Sequence, residues 1–460
     1  MSDPPPRRFV IVGAGASGTL AAAHLLRGAP PGVAVSLIEK RAQVGRGLAY
    51  ATRNPRHLLN VRAANMSAFA DDPGHFLRWL AVERPAMGGG GGSGFRFVPR
   101  GLYGRYLESL LLSHRADPHA LTIIHDAARA LSVSADGVEA ALAAGEPVRA
   151  DVAILACGHE SIVEDGPLYV GPWADPVGGD APLDATLLIL GSGLTMVDVV
   201  VALRERGHRG RIVALSRRGL LPRAHRDVEP WAIDARTAPL DRDPATICRW
   251  LRGLVREREA DGGDWRSVID GLRPHTQTIW RRMKPAARRR FLEHGRPWWD
   301  VHRHRLAPEV AARLNALVES GAVEVVAGKV VDVAATRLGA RVAIRRRRGR
   351  DVETLEVARI ISCKGVTSNP QKNSNPLIAS LFDRGLARPD PLGLGIDVDA
   401  RCAIIDSDGR PSARLFAVGP MSQAAFWEII AVPDIRLQAA ELARWLRGAG
   451  TGETEGSADD

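Results

Sequence analysis

The chain has 460 residues, 45% apolar and 25% charged, with a net charge of +10, as expected of an ordinary globular protein with room for two or three sizeable cores. No stretch of about 20 apolar residues is free of charge or glycine turns, which speaks against a membrane span, and the N-terminal residues run straight into a strand, so no signal peptide is expected and the cytoplasm is the expected compartment. Cys157, Cys248, Cys363 and Cys402 form no Cys-x-x-Cys pair, which excludes a dithiol centre of that type and argues against a disulfide framework.

The first element is a short β-branched run over 9–12, read as a buried parallel strand. Gly13-Ala14-Gly15-Ala16-Ser17-Gly18 follows at once, then an Ala/Leu-rich helix to 27 and a second strand over 33–38 ending on Glu39. This is a dinucleotide-binding unit. Gly13 allows the tight turn, Gly15 lets backbone approach a pyrophosphate, and Gly18 lets helix and strand pack closely. The helix start at Ala16 and Ser17 offers free N–H groups to the anion, and Glu39 accepts from a ribose.

Lys40 opens a Gly-rich loop to Tyr50 that includes Gly45, Gly47 and Leu48, placed where a flavin's ribityl chain and pyrophosphate would lie. Residues 57–67, with His57 and Asn60, mix apolar residues with amides and suit a segment crossing a cofactor face. Asp71 and Asp72 are expected to cap a helix over 75–82. The glycine run in 87–94 reads as a surface loop, and 103–113 as an amphipathic helix. Strands are expected over 121–125, 129–134, 138–142 and 149–156, the last ending on the small residues Cys157 and Gly158.

The pattern then repeats. A strand over 186–190 meets a second turn, Gly191-Ser192-Gly193-Leu194-Thr195-Met196, followed by a helix over 197–206 and a strand over 211–215. Strands over 323–327, 330–334, 341–346 and 356–362 repeat the later group and end near Lys364. Met196 replaces the third glycine. The second strand ends on Ser216-Arg217-Arg218 rather than on an acid. Arginines pair with a 2′-phosphate that a carboxylate would repel, which favours NADPH over NADH.

Residues 223–320 form a Trp-, Arg- and His-rich insertion of largely helical pattern, whose tryptophans read as helix-packing residues and whose size suits a lid on a substrate cavity. His294, His302 and His304 hold no usual zinc spacing, and no metal site is expected. The densest basic run, Arg345 to Arg348, reads as a solvated strand edge or hairpin, so no nucleic-acid partner is expected. A strand over 414–418 closes on Gly419-Pro420. Phe426-Trp427-Glu428 follows, Pro433 opens a long helix, and 449–460 reads as a disordered tail.

The fold class is therefore α/β, with two Rossmann-like, doubly wound dinucleotide-binding domains and a mostly helical insertion in the second. The expected FAD-binding domain is discontinuous, 1–180 and 360–448. The expected NAD(P)H-binding domain is 181–359.

The Gly13–Gly18 turn with Glu39, Val44 to Tyr50, His57 to Val61, Leu194 to Asp198, Ser216 to Gly219 and Phe426-Trp427-Glu428 together resemble a bacterial family of FAD/NAD(P)-binding proteins that includes flavin-dependent urate hydroxylases and amino-acid N-monooxygenases. The resemblance runs to about residue 447. It implies bound FAD and NADPH, molecular oxygen as co-substrate, and transfer of one oxygen from a flavin C4a-hydroperoxide to a small polar nitrogen-containing substrate, either a purine such as urate or an amino acid. More distantly, the plan is similar to two-dinucleotide flavoproteins in which a Gly-Asp pair holds the ribityl chain; here Pro420 stands in place of that acid. Trp427, Glu428, His57 and Lys364 are the candidate catalytic residues, and no base is singled out. The alternatives are a reductase passing electrons to a partner and a non-catalytic flavin-binding sensor. Either way the chain is open to forming a homo-oligomer.

Overall fold

In the computed structural model the described residues are 7–448 apart from 89–92, 115, 116, 118, 159, 162–167, 173–181, 237, 368 and 373. The tail expected at 449–460 and the centre of the glycine run lie outside them. The described chain divides into two compact units, residues 1–55, 62–160 and 367–460 in one and 56–61 and 161–366 in the other.

The first unit is built on a six-stranded sheet in the order Ala403–Ile405, Pro411–Ala417, Val152–Leu155, Arg8–Val12, Ala34–Ile38, Leu121–Ile124. All its pairings are parallel except that of the edge strand Ala403–Ile405. Phe9 to Val12 are 0–6% exposed, which is why this strand reads as an unbroken apolar run rather than an alternating one. Helix Ala16–Leu26 is buried from Ser17 onward and packs on helices Arg100–Leu112 and Val432–Leu446. Its alanines and glycine permit that double contact.

The expected group of strands after 120 divides differently. Leu121–Ile124 pairs with Ala34–Ile38 and extends the parallel sheet. Ala128–Ser134, Gly137–Leu142 and Val148–Ala150 make a separate antiparallel meander. The expected Asp71–Asp72 cap is not made. Helix His75–Glu83 starts from Gly74 with no side-chain cap, because Asp71 and Asp72 pair with Arg27 and Arg78 instead.

The second unit has a seven-stranded sheet in the order Val352–Val357, Gly339–Arg346, Val323–Thr336, Ile212–Ser216, Leu187–Leu190, Arg359–Ser362, Tyr169–Val170. The strands expected at 323–327 and 330–334 are one continuous element. Its first part, to Ala327, runs parallel to Ile212–Ser216, and from Gly328 it pairs antiparallel with Gly339–Arg346, with a register shift between Val330 and Asp332. Meander and parallel sheet are fused here, where the first unit keeps them apart. The basic run at 345–348 lies at a hairpin, as expected, with Arg346 paired to Glu324 and Glu353.

Three expected boundaries move. The first unit's stretch ends at 160 rather than 180, and Tyr169–Val170 pairs with Arg359–Ser362 in the second unit's sheet. Arg359–Ser362 pairs with Leu187–Leu190, so 360–366 belong to the second unit and the first resumes at 367. Residues 56–61 also belong to the second unit. Arg56 pairs with Glu205, His57 Nε2 lies 3.1 Å from the Asp198 carbonyl, and the Asn60 carbonyl lies 3.0 Å from His225 Nε2.

The insertion is helical between Pro244 and Glu319 and has its own apolar cluster around Leu240, Ile247, Leu272, Ile279 and Met283. Trp250 and Trp299 pack against that cluster and Trp280 is 1% exposed. Arg305, 1% exposed, pairs with Asp270.

Candidate functional site: two repeated glycine turns

In both units the strand order reverses beside the strand that enters the glycine turn. In the first, Arg8–Val12 lies between Ala34–Ile38 and Val152–Leu155; in the second, Leu187–Leu190 lies between Ile212–Ser216 and Arg359–Ser362. Ligands of doubly wound sheets bind at the carboxyl ends of the strands at this reversal.

The two turns share one construction. Gly13 N donates to Ile38 O at 2.8 Å and Ala156 N to Val12 O at 2.8 Å; Gly191 N donates to Leu215 O at 2.8 Å and Cys363 N to Leu190 O at 2.8 Å. Gly13 and Gly191 have φ of 100° and 117°. A Cβ on Gly13 would sit 2.6 Å from Ala156 O, and one on Gly191 2.3 Å from Cys363 O. Only glycine fits either place. Helices Ala16–Leu26 and Leu194–Glu205 then start from Gly15 and Gly193 with no side-chain cap on either. Their first-turn N–H groups are left for an anion. Leu194 and Thr195 lie in that first turn, three residues earlier than the sequence suggested.

The remaining glycines divide by role. A Cβ on Gly18 would lie 1.8 Å from Gly13 O, so this glycine serves helix-to-strand packing. Gly45 has φ 80° and would meet Glu108 N at 2.7 Å, so it lets the loop close on the next helix. Gly15 and Gly47 face each other, a Cβ on Gly15 lying 3.5 Å from Gly47 Cα. That pair leaves a cradle that side chains would fill. Beside it a cavity of about 310 Å³ is lined by Arg41, Gln43, Arg46, Gly47 and Arg53, among others. Arg46 is held by Glu108 at 2.9 Å. Glycine cradle, uncapped helix and basic wall fit an anionic dinucleotide.

Glu39 is 5% exposed; it accepts from Ala14 N at 2.9 Å and Arg41 N at 3.0 Å. Lys40 and Leu48 are exposed. Cys157 Sγ lies 3.5 Å from Val12 O at the small-residue strand end. Gly419, φ 69°, abuts Ser17, since a Cβ there would be 2.1 Å from Ser17 Oγ. Trp427 and Glu428 are buried, and Glu428 has φ 66°, a conformation L-residues rarely adopt.

His57 and Asn60 were expected at the flavin and Lys364 near the cofactor. All three lie in the second unit, His57 and Asn60 bound as described and Lys364 exposed past Arg359–Ser362. In that unit Arg217 is exposed and Arg218 Nη2 donates to Glu293 O at 3.3 Å. Sequence reasoning missed Gln438 and Gln423. Both are 4% exposed, and no local motif marks either: Gln438 bonds Gly419 and Ser422, well back in the chain, and the Gln423 side chain bonds no described residue.

Residues 10–160 match the model of an FAD-NAD(P)-binding family. No curated protein is similar enough in sequence to match. Among solved structures, the Kutzneria ornithine N-hydroxylase with reduced FAD, NADP+ and L-ornithine is similar at 14% identity and a TM-score of 0.62, over 97% of this chain and 100% of that one. The L-lysine 6-monooxygenase of Pseudomonas syringae is similar at 15% identity and a TM-score of 0.64, over 96% and 99%. The bacillithiol disulfide reductase of Staphylococcus aureus follows at 12% identity and a TM-score of 0.52, over 96% and 99%. Residues 10–160 are therefore an FAD/NAD(P)-binding domain, in a chain whose fold is like that of these enzymes.

Proposed function

We propose that the chain is an FAD-dependent, NADPH-using monooxygenase that hydroxylates a small, polar, nitrogen-containing substrate, most simply an amino acid or amine. The observation that carries this reading is the repeated turn, with a carboxylate at the second strand's end in the first unit and a free guanidinium, Arg217, in the second. The first suits the ribose of FAD and the second the 2′-phosphate of NADPH. Fold likeness to N-hydroxylases of ornithine and lysine supports the substrate class.

Bound FAD would supply hydride acceptance and oxygen activation. The chain's own residues bind and orient. Gly13, Gly15, Ala16, Ser17 and Gly47 take the pyrophosphate, Glu39 the ribose, and Gly191, Gly193, Leu194 and Thr195 the second dinucleotide. Trp427, buried beside the start of helix Val432–Leu446, excludes water. No buried thiol pair supports a dithiol reductase. Burial pushes the thiols of Cys363 and Cys402 up to about 12, the nearby Asp198 adding to it at Cys363 while a hydrogen bond with Gln438 offsets part of it at Cys402.

The test follows NADPH oxidation, oxygen uptake and peroxide release by the FAD-loaded protein across amino acids, diamines and purines. A substrate that speeds NADPH consumption while lowering peroxide per oxygen supports the reading. If the reduced protein meets oxygen sluggishly and no substrate changes that, a reductase serving a partner protein replaces it.

A further inference from the structure

Gly419 opens the loop that joins strand Pro411–Ala417 to helix Val432–Leu446, and it rests against Ser17 of the first glycine turn. The polar groups around it are closed on one another. Gly419 N–H donates to Gln438 Oε1 at 2.8 Å, Gln438 Nε2 donates to Ser422 Oγ at 2.9 Å, and Ser422 Oγ donates back to Gly419 O at 2.9 Å. Pro420 has neither an N–H nor a polar side chain. Nothing in this ring is left to hold a ligand.

Gln423, the next residue, differs. It is 4% exposed, and its backbone N–H donates to Pro420 O at 3.2 Å. Its side-chain amide makes no hydrogen bond with any described residue. Nor is that amide among the wholly enclosed side-chain atoms that lack partners. It therefore keeps a small accessible surface within an otherwise buried side chain. Ser17 Oγ has the same standing, in a residue 6% exposed. An amide taken from water without a partner is costly, so buried ones are almost always satisfied. A group that both donates and accepts would satisfy this one.

We propose that the Gln423 amide binds the hydroxyl-bearing chain that links pyrophosphate to ring in FAD, an inference that rests on the flavin reading above. Ser17 stands at the helix start that takes the pyrophosphate, and Gln423 stands four residues beyond the glycine that touches Ser17. The loop that carries Gln423 therefore begins at the first glycine turn, at the carboxyl end of strand Pro411–Ala417. Hydroxyls match an amide's donor and acceptor together.

The experiment uses the full chain stripped of flavin. FAD affinity is read by quenching of flavin fluorescence, and ADP affinity by calorimetry, since ADP lacks the polyol chain and the ring. Gln423→Leu should weaken FAD about tenfold, the worth of one net hydrogen bond, with ADP unchanged. The melting temperature of flavin-free Gln423→Leu should hold or rise, because an unsatisfied amide has been removed. Gln423→Ala gives the same FAD-to-ADP comparison if the leucine does not pack. FAD binding equal to wild type, or an equal loss for ADP, overturns the proposal. Wild-type protein that takes up no FAD overturns the flavin reading itself, a different result from an indifferent Gln423.

Discussion

The carboxylate of Glu39 accepts the backbone N–H of Ala14, 2.9 Å away inside the glycine turn. The acid at the end of the second strand thus braces the turn, besides the ribose contact proposed for it. Glu39→Ala should weaken FAD binding by at least about tenfold, and should also destabilise the flavin-free protein by about 2 kcal/mol, the worth of a charge-assisted bond to buried backbone. Urea unfolding without flavin, set beside FAD titration, reads both effects. Loss of FAD affinity with unchanged unfolding would show that the bond to Ala14 carries no stability.

Gly15 and Gly18 should respond differently to alanine. At Gly18 the new Cβ meets Gly13 O at 1.8 Å, so backbone must move and the variant should fail to fold or melt far lower. At Gly15 the same atom finds Gly47 Cα at 3.5 Å, an ordinary contact. Gly15→Ala should therefore fold, with FAD uptake reduced because the cradle is filled. Circular dichroism and flavin absorbance separate the outcomes.

Arg217 and Arg218 should not be equivalent. Arg218 is tied to Glu293 O in the insertion, whereas Arg217 has no bonded partner among the described residues. Arg217→Ala should cut kcat/KM for NADPH about ten- to a hundredfold and leave NADH nearly unchanged. Arg218→Ala should show weaker discrimination. Equal losses with both coenzymes for Arg217→Ala would make it a residue of general charge.

Acid should destabilise the first unit through His24. Burial holds its pKa down to about 4, the neighbouring Arg27 and Arg447 lowering it further while the hydrogen bond to Ala68 O and the nearby Asp71 offset part of this. The unfolded histidine protonates near 6.5 and the folded one does not. Its contribution is therefore complete above about pH 6.5 and is lost as pH falls towards 4, by about 3 kcal/mol in all. Burial lowers His75 as well, which adds in the same direction. His24→Leu should flatten the dependence of the urea midpoint between pH 7 and 4.5. An unchanged slope would place the acid sensitivity elsewhere.

The glycine turns and their strands were legible because their constraints are local. A positive φ and a carbonyl 2.6 Å from a missing Cβ leave glycine alone at Gly13, and the sequence carries that mark. The strand at 121–124 could not be told apart from the meander strands after it, because alternating and continuous patterns look alike over four residues. Segment 56–61 was placed with the flavin because its mixture of amides and apolar residues says nothing of its partners, Glu205, Asp198 and His225, which are more than 140 residues away in the chain. Gln423 was invisible for a different reason. Its unusual property is a missing partner, which only three-dimensional packing defines.

Strand Pro411–Ala417 inserts beside Val152–Leu155, some 260 residues earlier in the chain. The second unit's sheet, by contrast, is complete once Ser362 has been made. On a ribosome the coenzyme unit therefore has every strand it needs while its companion still lacks two, and Val152–Leu155 waits with an open edge. Such an edge invites mispairing. Premature termination before residue 411 would leave a product able to fold its second sheet but not its first, and proteolysis of that product would concentrate in the flavin unit.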